Sequence, residues 1–302
     1  METSNVKPDA ARSSRQFTSW LENVWYLVKG RVLIANTLPA LLGFWLCLQM
    51  QNLDFLEYAG TFMLLWAGCM LLIAGALIWN NWIESEIDKQ MQRTQKRPTV
   101  TGSMSSGSII GLGILTTAAG SAILLYLQVE AFLYGMIGWF LYVVCYTVWT
   151  KRRYTWNTLI GSLSGAVTPL IGWAVLNPQL AFAPIAFVLL LFLWQVPHTY
   201  AIVCRRYRDY EASGLSMLPV VKGIKETRYH MGFYLILLLL SIPLFPLASG
   251  GKLISLLLTA AWLLQTVLGG RQSNQQRWAT INFQLSIIYL QVHLLLFFLA
   301  YV

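Results

Sequence analysis

The sequence predicts an all-α polytopic membrane protein: nine transmembrane helices in a single bundle, with the N-terminus cytoplasmic and the C-terminus outside. Three observations carry this. Of the 302 residues, 57% are hydrophobic and only 11% charged, with a mean hydropathy of +0.57, beyond what a soluble domain sustains. Apolar runs recur from end to end at the length of about 20 residues that a helix needs to cross a hydrocarbon layer of roughly 30 Å. No series of short alternating segments separated by turns occurs, which argues against a membrane β-barrel.

The elements follow in order. Residues 1–31 form a polar N-terminal segment. It has no short apolar core with a cleavage site, so no signal peptide is expected. Phe17, Trp20, Leu21, Val24 and Val28 recur at helical spacing, which suits a helix lying in the membrane interface. Residues 32–302 form the membrane domain, with spans near 32–50, 58–80, 107–127, 131–149, 157–176, 180–203, 231–249, 253–270 and 280–301.

Charge orients the bundle. The 21 Lys and Arg fall in groups at 7–31, 89–97, 151–153, 205–208, 222–228, 252 and 271–277. Threading nine spans from a cytoplasmic N-terminus puts every group except Lys252 inside. The net charge of +9 is mostly this bias, with anionic headgroups of the lipid bilayer as its partners and no nucleic acid implied. The four cysteines, Cys47, Cys69, Cys145 and Cys204, lie in or at the ends of spans with no short pairing and read as buried spectators.

The unusual residues gather in two connections on one side. In "NNWIESEID", Asn80, Glu84 and Asp88 are four residues apart. On a continuous helix they form one ladder, with Glu86 turned away. Oxygen donors in a row suit Mg²⁺, which binds one or two carboxylates and shares its other positions with phosphate oxygens. Arg93, Lys96 and Arg97 follow, then Pro98, which stops a helix. Carboxylates for a metal beside cations for phosphate make a diphosphate site. The bland reading is a solvated loop obeying topology. Against it, the acids run counter to the positive bias and the ladder starts inside an apolar span, where ionisable groups are costly.

The second connection begins within a span as "WQVPHTYAIVCRRYRDYEASG". Gln195 and His198 are expected on one face, with Pro197 freeing a carbonyl and bending the helix. Were that helix to continue, His198 and Asp209 would lie about 20° apart around its axis. The residues alone leave His198 open between a packing group and a ligand. Between the two connections lie Lys151, Arg152 and Arg153, then Gly161, Gly165 and Gly172, which permit close helix approach, and Pro169, which interrupts the span. Tyr146, Trp149, Trp173 and Tyr200 are candidate pocket aromatics, able to stabilise a cation over their faces.

These residues resemble the intramembrane (UbiA-type) prenyltransferase superfamily over nearly the whole chain. Its motif Asn-x₃-Asp-x₃-Asp is similar to Asn80, Glu84 and Asp88, and "MQRTQKRP" (91–98) is similar to its Met-x-Arg-Thr-x-x-Arg-Pro. "WQVPHTYA", "RDYEASGLSMLPVVKG" and "IGSLSGAVTPLIGW" resemble the branch that farnesylates haem. The chain departs from the pattern at Glu84 and Glu86, where aspartate is usual, and at Gly30 and Thr168, where proline is usual.

The resemblance implies a prenyltransferase that joins farnesyl diphosphate to the vinyl group of haem B with addition of water. It implies Mg²⁺ on Asn80, Glu84 and Asp88, with a second ion at Asp209, and these four as catalytic residues. Arg93, Arg97 and Lys151 would bind the diphosphate; His198 would meet the haem iron, with Arg205 and Arg206 for its propionates. It further implies a plasma-membrane location, a cytoplasmic-side site, and a haem A synthase or oxidase-assembly partner. The rivals are a prenyltransferase for an aromatic quinone precursor, a non-catalytic haem-binding assembly factor, and a transporter. A transporter usually gathers its ionisable groups at the midplane on inverted repeats, whereas here they collect at one face.

Overall fold

The computed structural model describes residues 20–269 and 274–300; Phe17 and the rest of 1–19 lie outside the described residues. A helix over 20–27 (α1) precedes the bundle. The membrane helices are α2 (Gly30–Met50), α3 (Phe55–Ile83), α6 (Ser106–Leu127), α7 (Val129–Phe140), α8 (Asn157–Ala166) with α9 (Thr168–Leu176), α10 (Phe182–Arg205), α13 (Gly223–Ser241), α14 (Ser249–Leu268) and α15 (Gln275–Leu299). Short helices α4 (Ser85–Asp88), α5 (Pro98–Thr101), α11 (Tyr207–Ala212) and α12 (Leu218–Val221) lie in the connections. Among the described residues this makes nine candidate spans, α7 continuing to Thr150 and α8 with α9 counting as one. The chain is an all-helical multi-pass membrane protein.

Local chemistry sets the boundaries. Asp54 caps α3 by accepting the Leu56 N–H at 3.1 Å, so this helix starts three residues before the purely apolar run. The seventh span begins at Gly223 rather than near 231. Its first two turns carry Lys225, Glu226, Arg228 and His230, which are good helix members but invisible to hydropathy. The fifth span breaks at Val167, with Pro169 in the second position of α9, as expected of a proline that starts a helix more easily than it continues one.

Two apolar cores fill the bundle. α10 is the hub of one, packing on α8, α13 and α15, with Phe187, Leu190 and Trp262 fully buried. The other joins α2, α3, α6, α7 and α9. There α2 and α9 approach so closely that a Cβ on Gly172 would lie 1.7 Å from the Ala40 carbonyl oxygen, and one on Gly43 would lie 2.0 Å from that of Pro169. Only glycine fits at this crossing. Leu115, Leu133, Leu257 and Leu264 are exposed on the outer helices, in positions for lipid contact.

The fourth span changes winding. From Leu141 to Thr150 it is a π-helix, with the Lys151 N–H donating to the Tyr146 carbonyl five residues back at 2.9 Å. Thr147 and Thr150 hydroxyls repeat the five-residue step onto the Tyr142 and Cys145 carbonyls, each at 2.8 Å. Such segments are uncommon and recur at functional sites.

Candidate active site

The ladder survives although the helix does not. α3 ends at Ile83 because Glu84 leaves helical geometry (φ −92°, ψ 6°). Yet the Glu84 N–H still donates to the Asn80 carbonyl at 3.0 Å, and the Asp88 N–H to the Glu84 carbonyl at 2.9 Å. Asn80, Glu84 and Asp88 are all buried, whereas Glu86 is 79% exposed and pairs with Lys89 at 2.7 Å. Pro98 does not end a helix; it opens α5, in the first-turn position where a missing N–H costs nothing.

Each rung meets a nitrogen. Lys29 donates to Asn80 Oδ1, Lys151 to Glu84 Oε1, and Arg97 to Asp88 Oδ2. The Asn80 amide is oriented by its second bond, Nδ2 to the Thr147 hydroxyl at 3.0 Å. Burial raises the Glu84 carboxyl, but Lys151, Lys29 and Arg97 outweigh it and hold Glu84 below the usual carboxylate range. Burial, then the Arg97 charge, holds the Lys29 ammonium well below the lysine range, with Glu84 and Asp88 pulling the other way. Lys151 also lies 5.2 Å from the Tyr146 ring. Lys29 is in left-handed backbone geometry (φ 50°), a conformation that non-glycine residues adopt at a cost and chiefly at sites of function. Gly30 follows because a Cβ there would strike the Trp25 ring at 2.3 Å.

The connections are tied together at this end. Arg93 donates to the Tyr210 hydroxyl at 3.3 Å and lies 5.4 Å over its ring. Arg152 donates to the Ile83 carbonyl at 3.0 Å, and Asn157 Nδ2 to the Ser216 carbonyl at 2.9 Å. Met91, Val203, Tyr210 and Met217 share a small core beneath them.

Asp209 does not join the ladder. It lines a hollow with Gln92, Arg205 and Arg206 that includes none of Asn80, Glu84 and Asp88, while its neighbour Tyr210 turns toward Arg93. Among the described residues no three His, Cys, Asp or Glu lie close enough to hold one ion. The helix bearing His198 does not run on to Asp209. It ends at Arg205, and Arg206 (φ −111°, ψ 31°) restarts the chain as α11. Pro197 sits inside α10 without breaking it.

Gln195 and His198 part company. Gln195 packs over Gly165 and lines an apolar cavity of about 180 Å³ that begins one turn inside Asn80, at Ala76 and Leu77, and passes Tyr142 and Gly135. His198 instead faces α15, with Nδ1 2.7 Å from the Ser286 hydroxyl. Of the candidate aromatics only Tyr146 reaches the ladder. Trp149 belongs to an outer cluster with Tyr154 and Trp156, and Trp173 and Tyr200 are buried in the cores. The cysteines are free, three of them buried. Sequence reasoning missed Lys29, Thr147 and Tyr210. Lys29 counted only as a topology charge, Thr147 carried no signal, and Tyr210 was overshadowed by Asp209.

An all-helical membrane bundle with a buried ladder of oxygen donors, opposing cations and an apolar hollow beneath defines an intramembrane prenyltransferase. The chain belongs to the UbiA prenyltransferase family, whose model matches residues 33–288. It is 42% identical to a protein named protoheme IX farnesyltransferase from Oceanobacillus iheyensis, over 87% of this chain and 85% of that one. It is 38% identical to protoheme IX farnesyltransferase 2 of Bacillus subtilis over 97% of each. Among solved structures, one of a digeranylgeranylglyceryl phosphate synthase shares the fold with a TM-score of 0.73 at 15% identity, covering 93% of this chain and 98% of the other. A UbiA homolog from Archaeoglobus fulgidus bound to DMAPP and Mg²⁺ has a TM-score of 0.66 at 14% identity, covering 89% and 98%.

Proposed function

We propose that the protein transfers a farnesyl group from farnesyl diphosphate to the vinyl group of haem B with addition of water, releasing diphosphate. The observation that carries the chemistry is the pairing of Glu84 with Lys151 and Asp88 with Arg97 just beyond the end of α3, the helix whose Ala76 and Leu77 line the cavity. The haem acceptor rests on the relatives' names and on the His198 segment.

The donor set fits a hard divalent ion. Asn80, Glu84 and Asp88 present buried oxygens, each now held by a basic nitrogen, so a metal would take these oxygens as Lys29, Lys151 and Arg97 turn from them to the diphosphate. These three residues would hold Mg²⁺ and Asp209 a second ion, and the metal would supply countercharge to the leaving diphosphate. Lys29, Arg93, Arg97 and Lys151 bind the diphosphate oxygens and stabilise the charge that grows as the C1–O bond breaks. The bonding pair departs with diphosphate. The Tyr142 and Tyr146 faces shelter the allylic cation, and the cavity walls exclude bulk water until the haem vinyl π bond has closed on it. The resulting haem cation takes a water oxygen and loses a proton. His198 contacts the iron, and Arg205 and Arg206 receive the propionates.

Purified protein given haem B, farnesyl diphosphate and Mg²⁺ tests this. A porphyrin heavier by one farnesyl and one hydroxyl group is expected by mass spectrometry. Unchanged haem with intact farnesyl diphosphate would overturn the reading, and product formed only from an aromatic quinone precursor would redirect it.

A further inference from the structure

The ninth span contributes nothing to the motifs above, yet it grips His198. The imidazole stacks with Trp194 (4.6 Å, 19°) and with Phe283 of α15 (5.6 Å, 27°), and the Arg205 guanidinium lies over the Phe283 ring at 4.9 Å. Trp194 Nε1 donates to the Ser286 carbonyl at 2.7 Å, fixing α15 against α10 at this level. The ring is thus held in one plane, and the Ser286 hydroxyl decides its protons.

That hydroxyl makes two short contacts with one hydrogen. It lies 2.6 Å from the Phe283 carbonyl oxygen and 2.7 Å from His198 Nδ1. The carbonyl can only accept, so the hydroxyl hydrogen goes there; otherwise two oxygens would face each other with nothing between them. The hydroxyl oxygen then presents lone pairs to Nδ1, and a hydrogen lies in both contacts only if Nδ1 carries it. Neutral imidazole with Nδ1–H has a bare lone pair on Nε2. Among the described residues nothing donates to Nε2, and His198 is only half-buried.

We propose that Ser286 is a positioning residue that holds His198 as the Nδ1–H tautomer, so that Nε2 is the atom offered to the iron of a haem substrate. The inference rests on the haem reading of this site. It assigns a role to α15 that no motif marks. A histidine on a metal commonly donates its other N–H to an orienting group, and losing such a group typically lowers metal affinity about 10–100-fold. A free histidine side chain in water favours the opposite tautomer, with the proton on Nε2, so removing Ser286 releases the ring to its non-ligating form.

The test uses the full chain in lipid nanodiscs. Nitrogen-15 NMR of histidine-labelled protein without haem, assigned with His198→Gln, is expected to show Nδ1 protonated and Nε2 bare. Ser286→Ala should give a mixture, and Ser286→Thr, which keeps the hydroxyl, should restore the single form. Titration with ferric haem B should give a histidine-ligated spectrum that Ser286→Ala weakens about 10–100-fold in affinity and Ser286→Thr largely recovers. A protonated Nε2 in the unaltered protein, or a Ser286→Ala spectrum identical to it, overturns the tautomer assignment. An unchanged haem spectrum in His198→Ala overturns iron contact instead. Because the first measurement contains no haem, the two failures are distinguishable.

Discussion

Asn80 Nδ2 donates to the Thr147 hydroxyl at 3.0 Å, and that hydroxyl donates in turn to the Tyr142 carbonyl at 2.8 Å. This relay joins the first rung of the ladder to the π-helical turn. It fixes the Asn80 amide with its oxygen toward Lys29. The wider winding also carries Lys151 to Glu84. The π segment is therefore part of the site's construction.

Lys29 combines an unfavourable backbone geometry with a bond to Asn80, and the two effects are separable. Lys29→Gly relaxes the backbone and should leave thermal stability in detergent unchanged or higher. Turnover should fall roughly 10²-fold, the usual loss for one electrostatic donor. Undiminished turnover would remove Lys29 from diphosphate binding.

Glu84 and Lys151 form a buried pair. Glu84→Ala strands Lys151 and should destabilise the protein by about 3–5 kcal/mol. Adding Lys151→Met should recover much of that loss, although activity stays absent. Denaturation of the two single variants and the double variant reads the coupling; strict additivity would deny it.

The same carboxyl predicts a pH response. Its folded pKa lies below the ordinary value of 4.5. Its contribution to stability is therefore complete above that value and is lost as pH falls through the depressed folded value. Melting curves taken downward from pH 5 should show a loss that Glu84→Gln, already lacking the charge, does not share.

Asp88→Asn and chelation address the metal. Each should abolish prenyl transfer while the protein stays folded, and Mg²⁺ should rescue only the chelated sample. Asp209→Asn should raise the Mg²⁺ needed for half-maximal rate. Near-normal turnover by Asp88→Asn would eliminate the metal role.

Gly172→Ala drives a methyl into the Ala40 backbone, which cannot give way as a side chain would. A loss of about 1–3 kcal/mol or more is expected. Gly111→Ala meets nothing within 4 Å and should be neutral or stabilising by about 0.5–1 kcal/mol, as alanine exceeds glycine in a helix. Equal melting temperatures for the two variants would contradict the close crossing.

The span count was legible because lipid demands long apolar helices and little else has that pattern. The ladder was legible because its four-residue spacing survived the kink at Glu84, where the backbone hydrogen bonds persist. Other relations depended on where helices end. Nothing in "VCRRYRDY" announces that Arg206 leaves the helix, so the projected alignment of His198 with Asp209 fails and Tyr210 takes the inner position. The π winding likewise has no sequence mark, which hid Thr147. Gln195 and His198, three residues apart, are about 60° apart around a helix. In a crowded bundle that is enough to give them different neighbours, α8 for one and α15 for the other.

The hollow beneath the ladder is walled partly by Gly135, Gly138, Gly161 and Gly165, none of which touches the charged groups above. Capacity and reactivity are therefore encoded by separate residues. On the proposed reading, bulkier residues at these positions would shorten the hydrocarbon that fits, while the charged ladder is inherited untouched.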